Sequence, residues 1–410
     1  MINTLVINYP ALMNGGIENI CYELMKYSIS QGYRVIWLYR NPQKISSAFE
    51  TFVEHYIETI EVHRNALGQW KHKELSFKKD EKVTILSFTP FDMDNALKLT
   101  EEYSQIDITP LYLVANTKGR YYFVEEYYFG KIQKFLFKKT QVIMQNWAEM
   151  DAVRFCAERQ CIAFEQHYKV IIKNHKNKIL KEIFPPQSLD EDALYQRSDR
   201  SNFNLVTITR FDFPHKGYLL GLIRAYGHLK EKYPNLYLHI IGYGQGLSQV
   251  KAEINKLPYT AQQDVKLYGE MSLEEISKVL NNMHLNISVA GSVGVGASCG
   301  VLSIPARNFC EDDCEVYGFL PESRAMATAT QKGEPVEPYI ENVIHMSKDE
   351  YVRRCRDSYK TYAEADVDPE YIFSQKICKS VNPLNKHIFF DIVYIFRDYA
   401  YKIRTLLKKE

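Results

Sequence analysis

The sequence has no excess of charge of either sign: its 410 residues include 51 Lys and Arg against 50 Asp and Glu, a formal net charge of +1. Nucleic-acid-binding proteins usually carry a strong positive excess, so this balance argues against that class. Apolar runs of the ~18–20 residues that a membrane-spanning helix requires are also missing. So is a repeat with a period of about 20–50 residues, which disfavours a solenoid. The hydrophobic fraction of 46% is ordinary for a globular protein.

The eight cysteines form no recognisable metal-binding or disulfide framework. Cys310 and Cys314 have the spacing of a ligand pair, but no second pair stands at a matching distance. Residues 1–8 have the pattern of a strand and not of a secretory signal. We therefore expect free thiols and a reducing, cytoplasmic location. The sequence also lacks a Gly-x-Gly-x-x-Gly dinucleotide fingerprint, which disfavours NAD binding.

The sequence does contain an alternation of strand and helix patterns. Short apolar runs predict buried parallel strands, and apolar residues at helical spacing predict the helices between them. In the first half, strands are predicted at 4–8, 34–39, 82–88, 110–115 and 140–145, and helices after residue 16 and at 94–103 and 148–159. In the second half, strands are predicted at 203–210, 236–242, 265–269, 285–289 and 301–304, and helices at 217–232, 247–256 and 272–281.

A polar stretch at about 172–201, which includes two adjacent prolines, separates the two alternations and predicts a connection between domains. The chain length suits two domains of ~200 residues each. We predict an α/β protein with two doubly wound Rossmann-like domains that face each other across a cleft lined by the carboxyl ends of the strands. The predicted boundaries are 1–180 for the first domain, 181–202 for the linker, 203–385 for the second domain and 386–410 for an amphipathic C-terminal helix.

Adjacent glycines lie between the first predicted strand and the first helix, in the segment Asn14-Gly15-Gly16-Ile17-Glu18. Glycines let the backbone approach a ligand closely, and a helix start presents unpaired N–H groups to a phosphate or a sugar hydroxyl. A tight turn without a ligand would use the same residues, so both interpretations stay open.

Two cations follow the first predicted strand of the second domain: Arg210 at its end, and Lys216 before Gly217 at the start of the next helix. An Arg fork and a Lys point charge in one strand-end loop suit a diphosphate, because they stabilise the charge that develops on the leaving phosphate. Each charge-assisted hydrogen bond would contribute ~1.5–3 kcal/mol. We therefore predict that Arg210 and Lys216 are the catalytic residues.

In these segments the chain resembles the retaining glycosyltransferase family 4, whose fold is called GT-B. The resemblance covers roughly residues 1–330 and is most specific over 203–290. Four motifs carry it: a Gly-Gly-x-Glu loop at 15–18, an Arg and a Lys-Gly pair at 210 and 216–217, a Gly-x-Gly turn at 242–244, and a glycine before an acidic helix at 269–275.

The resemblance implies that the second domain holds a nucleoside-diphosphate sugar and that the first holds the acceptor. In that family the Arg and Lys hold the donor diphosphate, and residues near the matched glycine at 269 lie near the base. The predicted donor-binding residues are Gly15, Gly16, Gly242, Gly244, Gly269, Glu270, Met271, Gly291, Ser292 and Gly294.

The chain departs from the family where two glutamates are usual. Gly291 and Val295 stand at the corresponding positions, depending on the alignment, and the segment is about four residues short. In the family the second glutamate binds the donor ribose, so this chain lacks that contact. A glycine-rich loop at 291–296, with N–H groups directed at the sugar or phosphate, is the predicted substitute.

Acidic residues supply weaker candidates. Asp92 and Asp94 form an Asp-x-Asp triplet of the kind that holds a divalent cation in other glycosyltransferases, but an aspartate at a helix start is first of all a cap. Glu315, after the acidic run 311–313, is a further candidate for contacting donor hydroxyls. With two cations available, we expect no metal and no cofactor.

The acceptor is expected near Lys118, Arg120 and Tyr121, because cations suit a pyrophosphate and aromatic rings stack on sugars. Glu125 and Glu126 are candidate bases only because they are near in sequence. Residues 388–409 form an amphipathic, basic-ended helix that would either lie on an anionic membrane or pack across the first domain. Peripheral contact with the inner face of the plasma membrane and self-association both stay open.

The leading hypothesis is a retaining hexosyltransferase that extends a glycan or a lipid-linked acceptor in surface polysaccharide synthesis, such as capsule assembly. The alternative is a degenerate relative that serves as a partner or sugar-binding subunit, which the missing acids motivate. An epimerase or phosphorylase on the same fold is a third possibility, without a supporting motif.

Overall fold

A computed structural model describes residues 2–13, 15–40, 45–64, 70–72, 75–114, 131–180, 189–310, 313–363 and 368–378. The chain divides into two compact units. Unit 1 comprises Met1–Ile183 with Val367–Glu410, and unit 2 comprises Phe184–Asp366.

Unit 1 is built on a seven-stranded sheet with the order β4-β3-β2-β1-β5-β6-β7. The pairs are parallel except β3 with β4. The order reverses between β1 and β5, which makes the carboxyl ends of these two strands the topological switch point, where such sheets bind ligands. The strands are β1 (Ile2–Asn8), β2 (Arg34–Tyr39), β3 (Glu58–Arg64), β4 (Trp70–His72), β5 (Glu81–Ser87), β6 (Asp107–Val114) and β7 (Val153–Phe155).

Helices cover both faces of this sheet, because successive strand side chains point to opposite sides and both sides are apolar. In β1, Val6 packs into the core on one face, while Leu5 and Ile7 pack on the other. The helices are α1 (Gly16–Ser30), α2 (Ser47–Tyr56), α3 (Pro90–Glu102), α4 (Lys131–Glu149) and α5 (Glu158–Tyr168), followed by a 3-10 turn (His175–Lys178).

Unit 2 is built on a parallel five-stranded sheet with the order β10-β9-β8-β11-β12. Its switch point lies between β8 and β11. Leu205 packs on one face and Val206 on the other, so this sheet too is buried on both sides. Its strands are β8 (Phe203–Ile208), β9 (Leu236–Ile241), β10 (Val265–Gly269), β11 (Leu285–Ser288) and β12 (Leu302–Pro305), with a short hairpin of β13 (Glu315–Val316) and β14 (Glu334–Pro335).

Two helices of unit 2 start at a side-chain cap, at Asp190 and at Ser272. One of them starts at a capping box, in which the Ser272 hydroxyl accepts from the Glu275 N–H and the Glu275 carboxylate accepts from the Ser272 N–H. The helices are α6 (Glu191–Arg197), α7 (Tyr218–Lys232), α8 (Leu247–Ile254), α9 (Tyr259–Gln263), α10 (Leu273–Leu280), α11 (Gly291–Ser298), α12 (Glu337–His345) and α13 (Lys348–Ala363).

The final described segment, 368–378, packs on unit 1. It contains α14 (Tyr371–Ser374). Phe373 is 3% exposed, and its carbonyl accepts from the Lys82 ammonium at 2.8 Å. Glu370 accepts from the Tyr27 hydroxyl at 2.9 Å, and Gln375 accepts from the Arg154 guanidinium. The chain therefore crosses into unit 2 and returns to complete the core of unit 1.

Two predicted elements in unit 1 are wrong. The apolar run 140–145 lies within α4 rather than forming a strand, and the predicted helix 148–159 is interrupted by β7. Short apolar runs do not distinguish strand from helix, and here helical burial decides, because Met144 and Trp147 lie three positions apart and both face the core. The region 172–201, predicted as a connection, contains the 3-10 turn and α6.

The other predicted strands and helices are confirmed within a few residues. The α/β class and the parallel sheets are confirmed as well. The predicted helix 386–410 lies outside the described residues. Among the helices that are described, none combines the length and apolar character needed to cross a membrane.

Candidate functional site

The loop that carries both predicted catalytic cations leaves the carboxyl end of β8 and is bonded to the loop after β9. The Phe211 N–H donates to the Tyr243 carbonyl at 2.7 Å, and the Gly246 N–H donates to the Phe211 carbonyl at 3.0 Å. The two loops therefore form one rigid layer at the ligand-binding edge of the unit 2 sheet.

Gly242 and Gly244 allow this close approach. A Cβ atom at Gly242 would lie 1.8 Å from the Thr209 carbonyl oxygen, and one at Gly244 would lie 2.8 Å from the Phe211 carbonyl oxygen. Gly244 also has a φ of +144°, which side chains rarely adopt. Packing between the loops thus explains why glycine is required at both positions. Their contact with a donor stays a prediction.

Lys216 is buried, with only 9% of the residue exposed. Its ammonium lies 3.5 Å from the Asn308 side-chain oxygen, which is long for a hydrogen bond. Burial, together with the neighbouring positive charge of Arg210, lowers the pKa of Lys216 to about 8. The Asp212 carboxylate acts in the opposite direction but offsets burial and Arg210 only in part, since the pKa stays lowered. A buried cation that is only partly compensated favours a further anion beside it.

Arg210 differs from Lys216 in being exposed. It follows β8 at the switch point in the same loop as Lys216, and its positive charge contributes to the lowered pKa of Lys216. An exposed guanidinium fork can bind a phosphate with two hydrogen bonds from the solvent side. A buried ammonium in the same loop can contact the same phosphate from the protein side.

His215, next to Lys216 in the chain, forms an aromatic pair with Phe309 that the sequence did not reveal. The rings of His215 and Phe309 lie 4.7 Å apart between centroids, and the Phe309 N–H donates to the His215 carbonyl. Burial, then the charge of Lys216, lowers the pKa of His215 to about 4, so this imidazole is neutral at pH 7. Phe309 is 54% exposed with a φ of +58°, an uncommon state for a bulky residue. No motif marks either ring.

The segment 291–296, predicted as a glycine-rich loop, is instead the start of helix α11, so that prediction is wrong. Small residues favour a loop locally, yet here Gly294 packs on the Tyr362 ring, where a Cβ would lie 2.6 Å from the nearest ring carbon. Gly291 by contrast has open space around its Cβ position. Ser292 follows it in the first turn and is half-buried. The first turn of α11 therefore presents its N–H groups beside β11, as an anion site requires.

Ala290, immediately before α11, has φ +53° and ψ −131°, a conformation suited to glycine. Its N–H donates to the Ala327 carbonyl at 2.5 Å. Strained residues of this kind persist only where their surroundings impose them and tend to cluster at functional sites.

A buried polar network fixes β11 against β8 beneath α11. The Ile208 N–H donates to the Ser288 hydroxyl, which donates to the Asn286 side-chain oxygen at 2.7 Å. The Asn286 amide donates in turn to the Ser292 carbonyl in the first turn of α11. The network orients the helix start relative to the strand that leads to Arg210.

Gly269 ends β10 with a φ of +81° and open space at its Cβ position, while its carbonyl accepts from the Gly242 N–H. Glu270 and Met271 follow it and are half-buried. They therefore sit at the same edge of the sheet as the loop with Arg210, two strands from the switch point.

In unit 1, the glycine pair caps α1 at the switch point of the sheet. Gly15 is the extended N-cap residue, and the Cβ position of Gly16 is open. Glu18 is buried and accepts from the Tyr9 hydroxyl at 3.2 Å. Burial first, and then the charge of Glu18, raise the pKa of Tyr9. The tyrosine thus holds the Glu18 carboxylate beside the helix start.

Asp92 and Asp94 point to different partners. Asp92 accepts from the Thr89 hydroxyl at 2.6 Å and pairs with Arg40 at 2.8 Å, and burial raises its pKa. Asp94 accepts from the Trp70 indole at 2.8 Å. These contacts give the two carboxylates structural roles at the start of α3, where Thr89 and not an aspartate is the N-cap.

Glu315 is also engaged, because it pairs with Arg307 at 2.8 Å and accepts from the Gly333 N–H. Lys118, Arg120, Tyr121, Glu125, Glu126, Glu311, Asp312 and the helix 388–409 lie outside the described residues.

Comparison with known proteins finds likeness in structure. No protein-family model matches the chain, and no curated protein sequence matches it. The fold is similar to that of WaaG, a glycosyltransferase involved in lipopolysaccharide biosynthesis, with a TM-score of 0.54 and 13% identity over 91% of this chain and 98% of that one.

Two other solved structures agree. HepE of Anabaena, in complex with UDP and glucose, has a TM-score of 0.55 and 13% identity over 91% of this chain and 97% of that one. A glycosyltransferase of Rickettsia africae has a TM-score of 0.53 and 15% identity over 91% and 96%. Identities this low establish likeness of fold, so the chain shares the α/β fold of GT-B glycosyltransferases.

Proposed function

We propose that the chain is a glycosyltransferase that moves a hexose from a nucleoside-diphosphate sugar to a glycan or lipid-linked acceptor. The observation that carries the proposal is the cation pair at the unit 2 switch point. Buried Lys216 and exposed Arg210 concentrate positive charge where a doubly wound sheet binds its ligand. Keeping an ammonium buried beside a guanidinium is unfavourable unless an anion completes the site.

In the proposed reaction, the bond between the sugar anomeric carbon and the β-phosphate oxygen breaks, and an acceptor hydroxyl attacks the same face. The acceptor proton passes to the departing phosphate, and the configuration is retained. Arg210, Lys216 and the N–H groups at the start of α11 stabilise the charge that develops on the leaving diphosphate. The exposed ring of Phe309 offers a surface for stacking of a donor ring. Neither a metal nor a cofactor is required in this scheme.

The fold supports the glycosyltransferase part of this proposal, because the similar solved structures are glycosyltransferases. HepE was solved with UDP and glucose, which makes UDP the first nucleotide to test here. WaaG acts in lipopolysaccharide biosynthesis, in keeping with a role in surface polysaccharide assembly. Gly15, Gly16, Gly269 and Gly291 are proposed to approach the donor, and the acceptor contact of Lys118, Arg120 and Tyr121 remains a prediction.

One observation favours the alternative, a sugar-binding or partner subunit without transferase activity. Val295, one of the positions where the family resemblance places a glutamate, packs against the apolar cluster that includes Val206 and Ile276. If Val295 stands at that position, a core contact replaces the ribose-binding carboxylate of that family, and donor affinity would come from other groups.

Isothermal titration with UDP, GDP, ADP and CMP, followed by assays of donor hydrolysis with the matching sugar nucleotides, separates the two functions. The matched variants are Lys216→Met, which removes the buried charge, and Lys251→Met, which removes an exposed charge on α8. We expect one diphosphate nucleotide to bind, with at least tenfold loss in Lys216→Met alone.

Binding with donor turnover supports the transferase, and binding without turnover supports the subunit. Nucleotide binding that is equal in both lysine variants would refute the site itself.

A further inference from the structure

A second cluster of chemically reactive side chains lies in unit 1 and has no part in the proposed transferase site. It consists of Cys161 and Glu165 on α5 and His175 on the 3-10 turn, and we call it the Cys–Glu–His cluster. One ligand atom from each residue, namely the thiol sulfur, a carboxylate oxygen and an imidazole nitrogen, lies within 4.8 Å of the other two.

The positions of the three residues follow from the local structure. Cys161 and Glu165 are four residues apart on one helix, so they share a face. The chain leaves α5 through Lys169, which has a left-handed φ of +54°, and turns back so that His175 meets the same face. The His175 Nε2 atom lies 3.1 Å from a Glu165 carboxylate oxygen.

The Glu165 carboxylate is oriented by the backbone. Its other oxygen accepts from the Ile172 N–H at 2.7 Å, which leaves the oxygen near His175 directed into the cluster. Metal-binding carboxylates are characteristically held by such an outer hydrogen bond. Cys161 is fully buried, whereas the His175 side chain is 28% exposed, so an ion can enter from the side of the imidazole.

The donor set suits one class of ion. A thiolate, a carboxylate and a neutral imidazole are the ligands of tetrahedral Zn²⁺ sites, and they carry two negative charges that a divalent cation neutralises. Three protein ligands leave one coordination position for water, on the exposed side.

We propose that the Cys–Glu–His cluster binds a divalent transition metal ion, with Zn²⁺ as the expected occupant. Such an ion would tie the 3-10 turn to α5. It would thereby secure the segment after Tyr168, whose residues Val170 and Ile172 pack into the unit 1 core. Its role is structural and independent of the cation pair in unit 2, so the transferase proposal and this one stand or fall separately.

Cobalt substitution provides the test, because Co²⁺ reports both its geometry and a bound thiolate. The full chain is first freed of metal with a chelator and then titrated with CoCl₂. We expect saturation at one equivalent, with intense visible bands of a tetrahedral ion and a near-ultraviolet thiolate-to-cobalt absorption. Zn²⁺ should displace the signal and raise the temperature of the unit 1 melting transition in proportion to the logarithm of its concentration.

Variants assign the ligands. Cys161→Ser should abolish the near-ultraviolet band, and His175→Gln, at a partly exposed position where refolding is not at risk, should weaken Co²⁺ binding at least tenfold. Cys156→Ser, which alters a half-buried thiol in the same unit, should leave both signals unchanged.

An octahedral cobalt spectrum without a thiolate band in the parent protein would overturn the proposal. So would full zinc stabilisation of His175→Gln, because the residues would then form only an ion pair beside a buried thiol.

Discussion

Lys216 shows how one residue can work against the stability of the fold that carries it. Its pKa of about 8 lies below the usual value because the folded chain buries the ammonium and places Arg210 beside it. The unfolded chain therefore binds this proton more tightly than the folded chain. The destabilisation is fully present below pH ~8 and disappears as the pH rises through the unfolded value of about 10.4.

We predict that Lys216→Met stabilises unit 2 at pH 7, because it replaces a buried charge with an apolar side chain of similar length. The expected gain is roughly 1–3 kcal/mol in the free energy of unfolding, and it shrinks to less than about 1 kcal/mol at pH 10. Calorimetric melting of both proteins at the two pH values measures it. A Met variant that is less stable than the parent at pH 7 would show that the buried charge of Lys216 does not destabilise unit 2.

The same lysine makes nucleotide affinity depend on pH. A bound diphosphate favours the protonated amine, so we expect the affinity for the nucleotide found by titration to fall between pH 7 and 9, by up to about tenfold per pH unit above the Lys216 pKa. In Lys216→Arg, whose guanidinium stays charged throughout, the affinity should be nearly constant over this range. An equal pH dependence in both proteins would show that another group controls binding.

The residues of the candidate site in unit 2 differ in how far the sequence alone predicts them. Arg210 and Lys216 were identified because two cations in one strand-end loop form a pattern. Asn308 and Phe309 were missed because they lie about 90 residues further on and reach the same edge only through the order of the strands. The burial of Lys216 was equally invisible, since a charged residue in a polar loop gives no sign of being covered.

At the scale of elements, the surroundings of a glycine indicate whether it is needed for packing or is free to approach a ligand. Gly242 touches the neighbouring loop, so any side chain there pushes the β8 and β9 loops apart, whereas the Cβ position of Gly291 is open at the start of α11. The sequence placed both in the donor site without distinguishing them.

We therefore predict opposite results for two alanine variants. Gly242→Ala should lower the unfolding free energy of unit 2 by roughly 2–4 kcal/mol, because the Cβ overlaps the Thr209 carbonyl. Gly291→Ala should leave stability within about 0.5 kcal/mol, since Ala is a good helix former, and should weaken nucleotide binding by blocking approach to the helix start.

Melting curves and nucleotide titrations of both variants provide the comparison. Unchanged nucleotide affinity in Gly291→Ala would remove α11 from the site.

The wrongly predicted elements, like the glycines, depend on tertiary neighbours that the local sequence does not show. Residues 140–145 are apolar enough for a strand, but they form part of α4 because Trp147 and Met144 pack together into the core, with Trp147 against Tyr112. The small residues at 291–296 suggested a loop, yet Gly294 and Gly296 fit a helix that Tyr362 and Asn286 approach closely. In each case a tertiary neighbour overrides local preference.

At the scale of the whole molecule, the chain forms two compact units, which we expect to unfold separately. Unit 1 includes the segment that returns to it after unit 2. Phe373 is almost fully buried among side chains of unit 1, and Ile372 beside it is 2% exposed. Residues 368–378 therefore belong to a core formed mainly by the first half of the chain.

We predict that Phe373→Ala lowers the stability of unit 1 by about 3–5 kcal/mol while leaving that of unit 2 unchanged. Calorimetry should show one transition that moves to lower temperature and one that stays in place. Nucleotide stabilisation should act on the unmoved transition. A uniform shift of both transitions would show that the units unfold together.

By itself the sequence determined the α/β class and most strands and helices, and it predicted Arg210 and Lys216 as a pair of cations in one strand-end loop. All of these depend on the period of apolar residues or on charges close together in the chain. Only the tertiary structure decided which glycines pack and which are open, how deeply Lys216 is buried, that Phe309 lies beside it, and that Cys161, Glu165 and His175 converge. These properties depend on strand order and on contacts between distant segments, which no local pattern records.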